Sequence, residues 1–223
     1  DGLLVLSPYA DQPGFLADHL PPLLPTVLIN TRLDESEPYS VLNIDNHAGA
    51  VVMAEHLVEA GHRDIAFICG PDANYDARER LRGFREVIAR HAAVGVRGRE
   101  LEGDFTEASG FRAGQQLLAS GALPDAVFAA NDMMALGCLF AFNQAGKHVP
   151  GDVALAGFDD IPLARLVDPP LTTMRVNIAE LGEQAMRRLL RQIETESGEG
   201  ERRSTTPELI VRASSRNDRP PAS

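Results

Sequence analysis

The 223-residue sequence predicts a doubly wound α/β fold, and three features carry that expectation. Short apolar runs recur along the chain and are continuous rather than alternating, as strands covered on both faces are. Amphipathic segments of helical length lie between them. Several of those segments close on a glycine, where a helix ends in a left-handed residue.

Taken in order, "LLVLS" (3–7), "TVLIN" (26–30), "VLNID" (41–45), "DIAFICG" (64–70), "DAVFAAN" (125–131) and "DVALAGF" (152–158) read as buried parallel strands. Helices are expected over 47–60, which carries Val51, Val52, Met53, Leu57 and Val58 before Gly61, and over 77–91. Two more are expected over 107–120 and 132–145, ending at Gly121 and Gly146, and another over 178–194. "ETESGEGERRSTT" then reads as a polar, mobile connection, followed by a last strand over 208–214. No fixed short period recurs, which excludes a solenoid.

At 44% hydrophobic and 24% charged, the chain has the composition of an ordinary globular protein, and a formal charge of -11 argues against nucleic acid or an anionic membrane surface as a partner of this piece. No apolar run approaches the roughly 20 residues that cross a bilayer. Cys69 and Cys138 sit in apolar runs without C-x-x-C spacing and read as free, buried thiols of a reducing compartment. The chain begins at Asp1 rather than Met, so its natural beginning is expected to lie upstream.

Catalytic signatures are missing: there is no G-x-S-x-G elbow, no phosphate-binding G-x-x-x-x-G-K-[ST] and no G-x-G-x-x-G. The histidines form no metal-ligand spacing, and His56 and His62 read as surface or capping groups. What stands out instead is a set of polar residues at the carboxyl ends of the expected strands, where open α/β sheets bind ligands. Asp45 follows "VLNI", Asn131 follows "AVFAA", and Asp159 follows "VALAGF"; Arg78 opens the helix after strand 64–70, and Phe105 stands at another strand-to-helix turn. A carboxylate accepts hydrogen bonds, an Arg fork donates, an amide does both, and an aromatic ring offers a flat apolar face. That set suits a polyhydroxylated ligand such as a sugar. Each residue also has a plainer role. Asn131 or Asp132 caps helix 132–145, and for Asp132 capping is the favoured reading; Asp160 caps a short helix in "IPLARL"; Asp45 and Asn46 cap helix 47–60. Arg78, Arg80, Arg82 and Arg85 pair with acids on the surface, and Phe105 joins the core.

Read together, "GHRDIAFICGP" (61–71), "ARERLRGF" (77–84), "GDF" (103–105), "ANDMMALG" (130–137), "GDVALAGFDD" (151–160) and "PPLTTMR" (169–175) resemble the LacI/GalR family of bacterial transcription regulators, in their effector-binding core. The resemblance runs from "DGLLVLSP" to "LIVRASS". It implies a periplasmic-binding-protein-like type I fold, α/β, with two Rossmann-like lobes whose parallel sheets hold an effector in a cleft. The implied crossovers lie near 60–63, 175–178 and 205–208. One lobe would be 1–60 plus 178–205, the N-terminal lobe and incomplete; the other would be 61–177 plus 206–215, with 216–223 as a tail.

By position in that family, Arg78 matches the arginine that grips the effector, Asn131 the strand-end asparagine, Asp159 the strand-end acid and Phe105 the aromatic beside the ligand. Asp45-Asn46 resembles the D-N pair of many members, although the acidic contact that some relatives carry beside it is Ala48 here. The implied function is that of a sensor, not an enzyme, with a carbohydrate effector, no cofactor and no metal. It would be cytoplasmic and a homodimer when intact, touching operator DNA only through an N-terminal headpiece absent from this chain. Asp159 is then a hydrogen-bond acceptor for ligand and Asp160 a helix cap. The rivals are an exported sugar-binding protein of a transporter, a glycosidase-like enzyme using Asp159 and Asp45, and, within the favoured class, a purine or nucleoside effector.

Overall fold

The structure, a computed structural model, describes residues 1–7, 14–20, 24–33, 37–195 and 200–216. In chain order its first half comprises β1 (Leu3–Leu6), α1 (Phe15–His19), β2 (Thr26–Ile29), β3 (Ser40–Ile44), α2 (Asn46–Glu59), β4 (Asp64–Ile68), α3 (Tyr75–His91) and β5 (Arg97–Leu101). There follow α4 (Glu107–Ala119), β6 (Ala126–Ala129), α5 (Asp132–Gln144), β7 (Ala154–Ala156), β8 (Thr173–Arg175), α6 (Ile178–Thr195), β9 (Arg202–Thr205) and β10 (Glu208–Ile210).

The chain folds into two compact units. The first comprises Asp1–Asp45, Ala73–Asp76 and Asn177–Thr206; the second comprises Asn46–Asp72, Ala77–Val176 and the chain from Pro207 on. The boundary expected near residue 60 thus falls between Asp45 and Asn46. Its cause is the buried face of α2, since Ala50, Met53, Ala54 and Leu57 share one core with Ile65, Ala66, Phe67 and Ile68 of β4.

In the first unit a parallel sheet runs β1-β2-β3-β9. Leu28 and Val41 pack with Leu16 and Leu20 around α1. Helix α6 buries Leu181, Ala185, Leu189 and Gln192, a stripe at helical spacing. Strand β9 corrects the expectation of a mobile polar connection. "RRST" carries no apolar residue, yet Arg202–Thr205 pairs in parallel with Val41–Ile44. Its side chains are largely exposed, so the backbone ladder rather than burial makes the strand. Residues 196–199 of that connection, and 217–223 of the expected tail, lie outside the described residues.

In the second unit a parallel sheet runs β5-β4-β6-β7, and β8 and β10 form a separate antiparallel pair. Phe67 of β4 stacks on Phe84 of α3 at 4.9 Å between centroids and meets Phe128 of β6 edge-on at 5.0 Å. The last strand is shorter than expected. Residues Ala213–Ser215 turn into a 3-10 helix, tied down where Ser214 Oγ donates to Leu155 O at 2.6 Å and accepts from Thr172 N–H at 2.8 Å. His62, expected at the surface or as a cap, is instead buried, with Nε2 3.3 Å from Ser215 O; His56 Nε2 lies 2.9 Å from Ser215 Oγ. Both thiols are free, and burial raises each, Cys69 to about 11.

Candidate functional site

The carboxyl ends of β6 and β7, the turn after β5 and the first turns of α3 gather a polar cluster in the second unit. Its centre is Arg80, only 5% exposed. Arg80 Nε donates to Asn46 Oδ1 at 2.7 Å and Nη1 to Ala130 O at 2.6 Å. Nη1 also lies 3.4 Å from Asp159 Oδ1. The guanidinium carbon sits 3.8 Å from the Phe158 ring centroid and 5.9 Å from that of Phe105. A buried guanidinium needs this density of acceptors, because each unpaired N–H would carry its full desolvation cost.

Asn131, at the end of β6, is the N-cap of α5: its Oδ1 accepts from Met134 N–H at 2.9 Å, while Nδ2 donates to Phe105 O at 3.0 Å. Among the described residues, one N–H and one lone pair of the amide have no partner. Phe105 is half-buried, with φ 68. Its position is fixed from behind by Asn131.

The aspartates after β7 hold unusual backbone. Asp159 has φ 120 and Asp160 φ 56, left-handed values that a residue with a Cβ adopts only when its surroundings compel it. Asp159 N–H donates to Met174 O at 2.8 Å. Asp160 takes Arg175 Nε at 2.7 Å on one oxygen and Arg212 Nη2 at 2.6 Å on the other. Burial raises the Asp160 carboxyl, but the hydrogen bonds from Arg212 and Arg175 outweigh it and bring the group below its ordinary value. The expected capping role of Asp160 is therefore corrected: residue 161 precedes the 3-10 turn Pro162–Arg165, and no side chain caps it. With Asp160 held by two arginines, the adjacent Asp159 carboxylate is directed to Arg80 and stays 36% exposed.

Beneath lies Asp132, fully buried. Its Oδ1 accepts from Thr173 Oγ1 at 2.6 Å and its Oδ2 from Ile161 N–H at 2.9 Å. Burial pushes its carboxyl up to about 7, against the pull of those two hydrogen bonds. It too is not the cap of α5, the role favoured for it from sequence, because the Asn131 side chain takes that place. Gly157 is required here by close approach: a Cβ would stand 2.2 Å from Asp132 Oδ1.

Of the residues expected at the site, Asn131, Asp159 and Phe105 come together around Arg80. Arg78 does not join them. It is exposed on α3, with Nη1 donating to Asp72 O at 3.1 Å. Two residues along a helix turn through about 200°, so Arg78 and Arg80 point to opposite sides. Asp45 closes β3 in the first unit, its N–H donating to Thr205 O at 2.9 Å. Arg80 was the residue missed, and it had a signal, since Ala77, Arg80, Phe84 and Val87 form one buried stripe; in the sequence Asn46 reads only as a cap and as half of the Asp45-Asn46 pair. What the cluster presents is an Arg80 Nη2 group with no protein partner among the described residues, the partly exposed Asp159 carboxylate, the Asn131 amide and the face of Phe105. Groups of these types are complementary to hydroxyls and to an apolar ring face.

Two parallel-sheet units with a polar binding cluster at strand carboxyl ends define a ligand-binding module of the periplasmic-binding-protein-like type. Residues 54–215 match the periplasmic binding protein-like domain family. The chain belongs to that family, and within it to the effector-binding cores of LacI/GalR regulators. It is 36% identical over 214 residues to the ribose operon repressor of Escherichia coli strain K12, covering 96% of this chain and 64% of that protein. It is 38% identical over 177 residues to the HTH-type transcriptional repressor PurR of Haemophilus influenzae, covering 77% of this chain and 52% of that one. Among solved structures, the complex of the transcriptional regulator CelR with cellobiose superposes with a TM-score of 0.82 at 35% identity, over 96% of this chain and 65% of that chain. The chain thus spans under two thirds of the length of these curated relatives.

Proposed function

We propose that this chain is the effector-binding core of a transcription regulator, and that its effector is a sugar or sugar-like metabolite. The observation that carries the proposal is Arg80, buried and held by Asn46 and Ala130 O within 3.4 Å of the partly exposed Asp159 carboxylate, with Asn131 and Phe105 beside it. Vicinal hydroxyls are at once donors and acceptors, and this site offers both complements within one cluster. Arg80 takes the gripping role that the family resemblance assigned to Arg78. Asp45 is carried as a separate proposed contact of the first unit.

In the whole regulator, effector binding would bias a pre-existing conformational equilibrium that is read out as operator affinity. Operator DNA, a homodimeric assembly and a cytoplasmic location belong to that proposal. The net charge of -11 leaves DNA contact to other parts of such a regulator.

A thermal-shift panel of monosaccharides, disaccharides and purines tests it. A ligand at about 100 times its dissociation constant adds about 2.7 kcal/mol of stability. A sugar that stabilises the parent chain, an effect lost in Asp159→Asn and retained in Arg78→Ala, supports the proposal. Stabilisation by a purine alone would keep the site and change the ligand class. Stabilisation by a sugar that survives Asp159→Asn would remove the site.

A further inference from the structure

The first unit contains a cavity of about 230 Å³ that the effector proposal does not use. It is lined by Leu42 of β3, by Gln184, Arg187, Arg188 and Arg191 of α6, and by Glu201 and Arg203 from the β9 side. A run of exposed arginines on a helix is ordinarily a solvated face, and single surface ion pairs contribute little. Here two features go further.

First, the arginines outnumber the carboxylates that they are seen to pair with among the described residues. Glu201 accepts from both Arg188, at 3.2 Å, and Arg203. Arg187 pairs with Glu183 at 2.5 Å, both largely exposed. No carboxylate among the described residues pairs with Arg191, while Arg188 and Arg203 share the single carboxylate of Glu201. Second, the walls are pinned. Ser40 Oγ receives Arg188 Nε at 3.1 Å, Gln192 Nε2 at 3.0 Å and Glu201 N–H at 3.1 Å, tying β3, α6 and the approach to β9 at one atom. These bonds orient Arg188 and fix the backbone of α6 and of Glu201 from which Arg191 and Arg203 extend, and an anion site on a fixed frame loses less entropy on binding than one on a loose frame.

We infer that this cavity is a binding site for a small organic phosphate, the Arg191 and Arg203 guanidinium groups holding the phosphate and Leu42 meeting the carbon skeleton. Guanidinium forks match phosphate oxygens two by two. A charge of about -2 on the ligand would offset the local excess, and the volume suits a molecule no larger than a phosphorylated monosaccharide. The site lies within the first unit and is independent of the effector proposal.

Calorimetric titration of the chain with glucose 6-phosphate, inorganic phosphate and glucose tests the inference. Glucose 6-phosphate should bind more tightly than inorganic phosphate, and both more weakly as salt is raised, while glucose should not compete. Arg191→Ala/Arg203→Ala should weaken glucose 6-phosphate binding by at least about tenfold. Its melting temperature should match the parent's, because Arg203 is 62% exposed and Arg191 lies on an exposed position of α6. Asp159→Asn, in the other unit, should leave this binding intact. No saturation by either phosphate at millimolar concentration would overturn the inference, as would undiminished binding in the folded double variant. So would binding lost in Asp159→Asn instead.

Discussion

Replacing Arg80 by methionine removes the guanidinium while keeping most of the stem that lies along Phe158. Two acceptors lose their donor, Asn46 Oδ1 in a residue 1% exposed and the carbonyl of Ala130, 0% exposed. Each buried acceptor left unmatched costs about 1–3 kcal/mol. The loss of the cation over Phe158 at 3.8 Å adds about 1–2 kcal/mol. Against this, a buried cation no longer has to be desolvated, and Asp159 is exposed enough for water to take over its oxygen. The net expectation is a loss of about 2–4 kcal/mol, which at about 2–4 °C per kcal/mol in a chain of this size lowers the melting temperature by roughly 4–16 °C. Arg78→Met, on the exposed side of the same helix, should change stability by less than about 0.5 kcal/mol. Paired urea and thermal unfolding of the two variants measures both. If Arg80→Met unfolds within about 0.5 kcal/mol of the parent, or if Arg78→Met is the damaging change, the central role assigned to Arg80 is refuted.

Asp132 gives a pH signature. Its folded value of about 7 lies above the ordinary 3.8, so the native state holds the proton more tightly than the unfolded chain between those limits. Stability from this group is therefore present below about pH 4 and declines as pH rises toward 7, by at most about 4 kcal/mol at 1.36 kcal/mol per pH unit. Asp132→Asn should flatten that decline in urea titrations run from pH 5 to 8, and an unchanged slope would contradict the assignment. Gly157→Ala drives a Cβ to 2.2 Å from Asp132 Oδ1 and should cost about 1–3 kcal/mol in unfolding free energy; a neutral substitution would mean that the close approach is not enforced. Asp160→Asn breaks the paired contacts to Arg175 and Arg212 that hold Asp159 at φ 120. Effector affinity should fall by about tenfold in titration calorimetry with the Asp159 side chain itself intact, and unchanged affinity would show that Asp159 needs no such support.

How much of this was legible in the sequence depends on where the information sits. The buried strands β4, β6 and β7 were legible because a strand covered on both faces is apolar at every position, and the helices because their apolar residues recur at helical spacing. β9 was invisible for the same reason inverted: Arg202–Thr205 lies at a sheet edge with its side chains exposed, so pairing with β3 leaves no apolar trace. In the proposed site, the clustering of Asn131, Asp159 and Phe105 was legible from their place at strand ends. Arg78 and Arg80 look alike in "ARERLRGF", and only the phase of the helix separates them. The buried stripe through Ala77, Phe84 and Val87 passes through Arg80, and that phase was available in the sequence. The two cap assignments failed for a different reason. Asp132 and Asp160 stand where caps stand, but each is held by side chains distant in sequence, Thr173 for one and Arg175 with Arg212 for the other, and no local pattern reports such partners.

The most direct test of the proposed function is a crystal structure of this chain with the most strongly stabilising sugar of the panel bound. The sugar's hydroxyls should lie within hydrogen-bond distance of Arg80 Nη2, the Asp159 carboxylate and the Asn131 amide, with its ring against Phe105. A sugar found elsewhere on the chain, with those four side chains untouched, would contradict it.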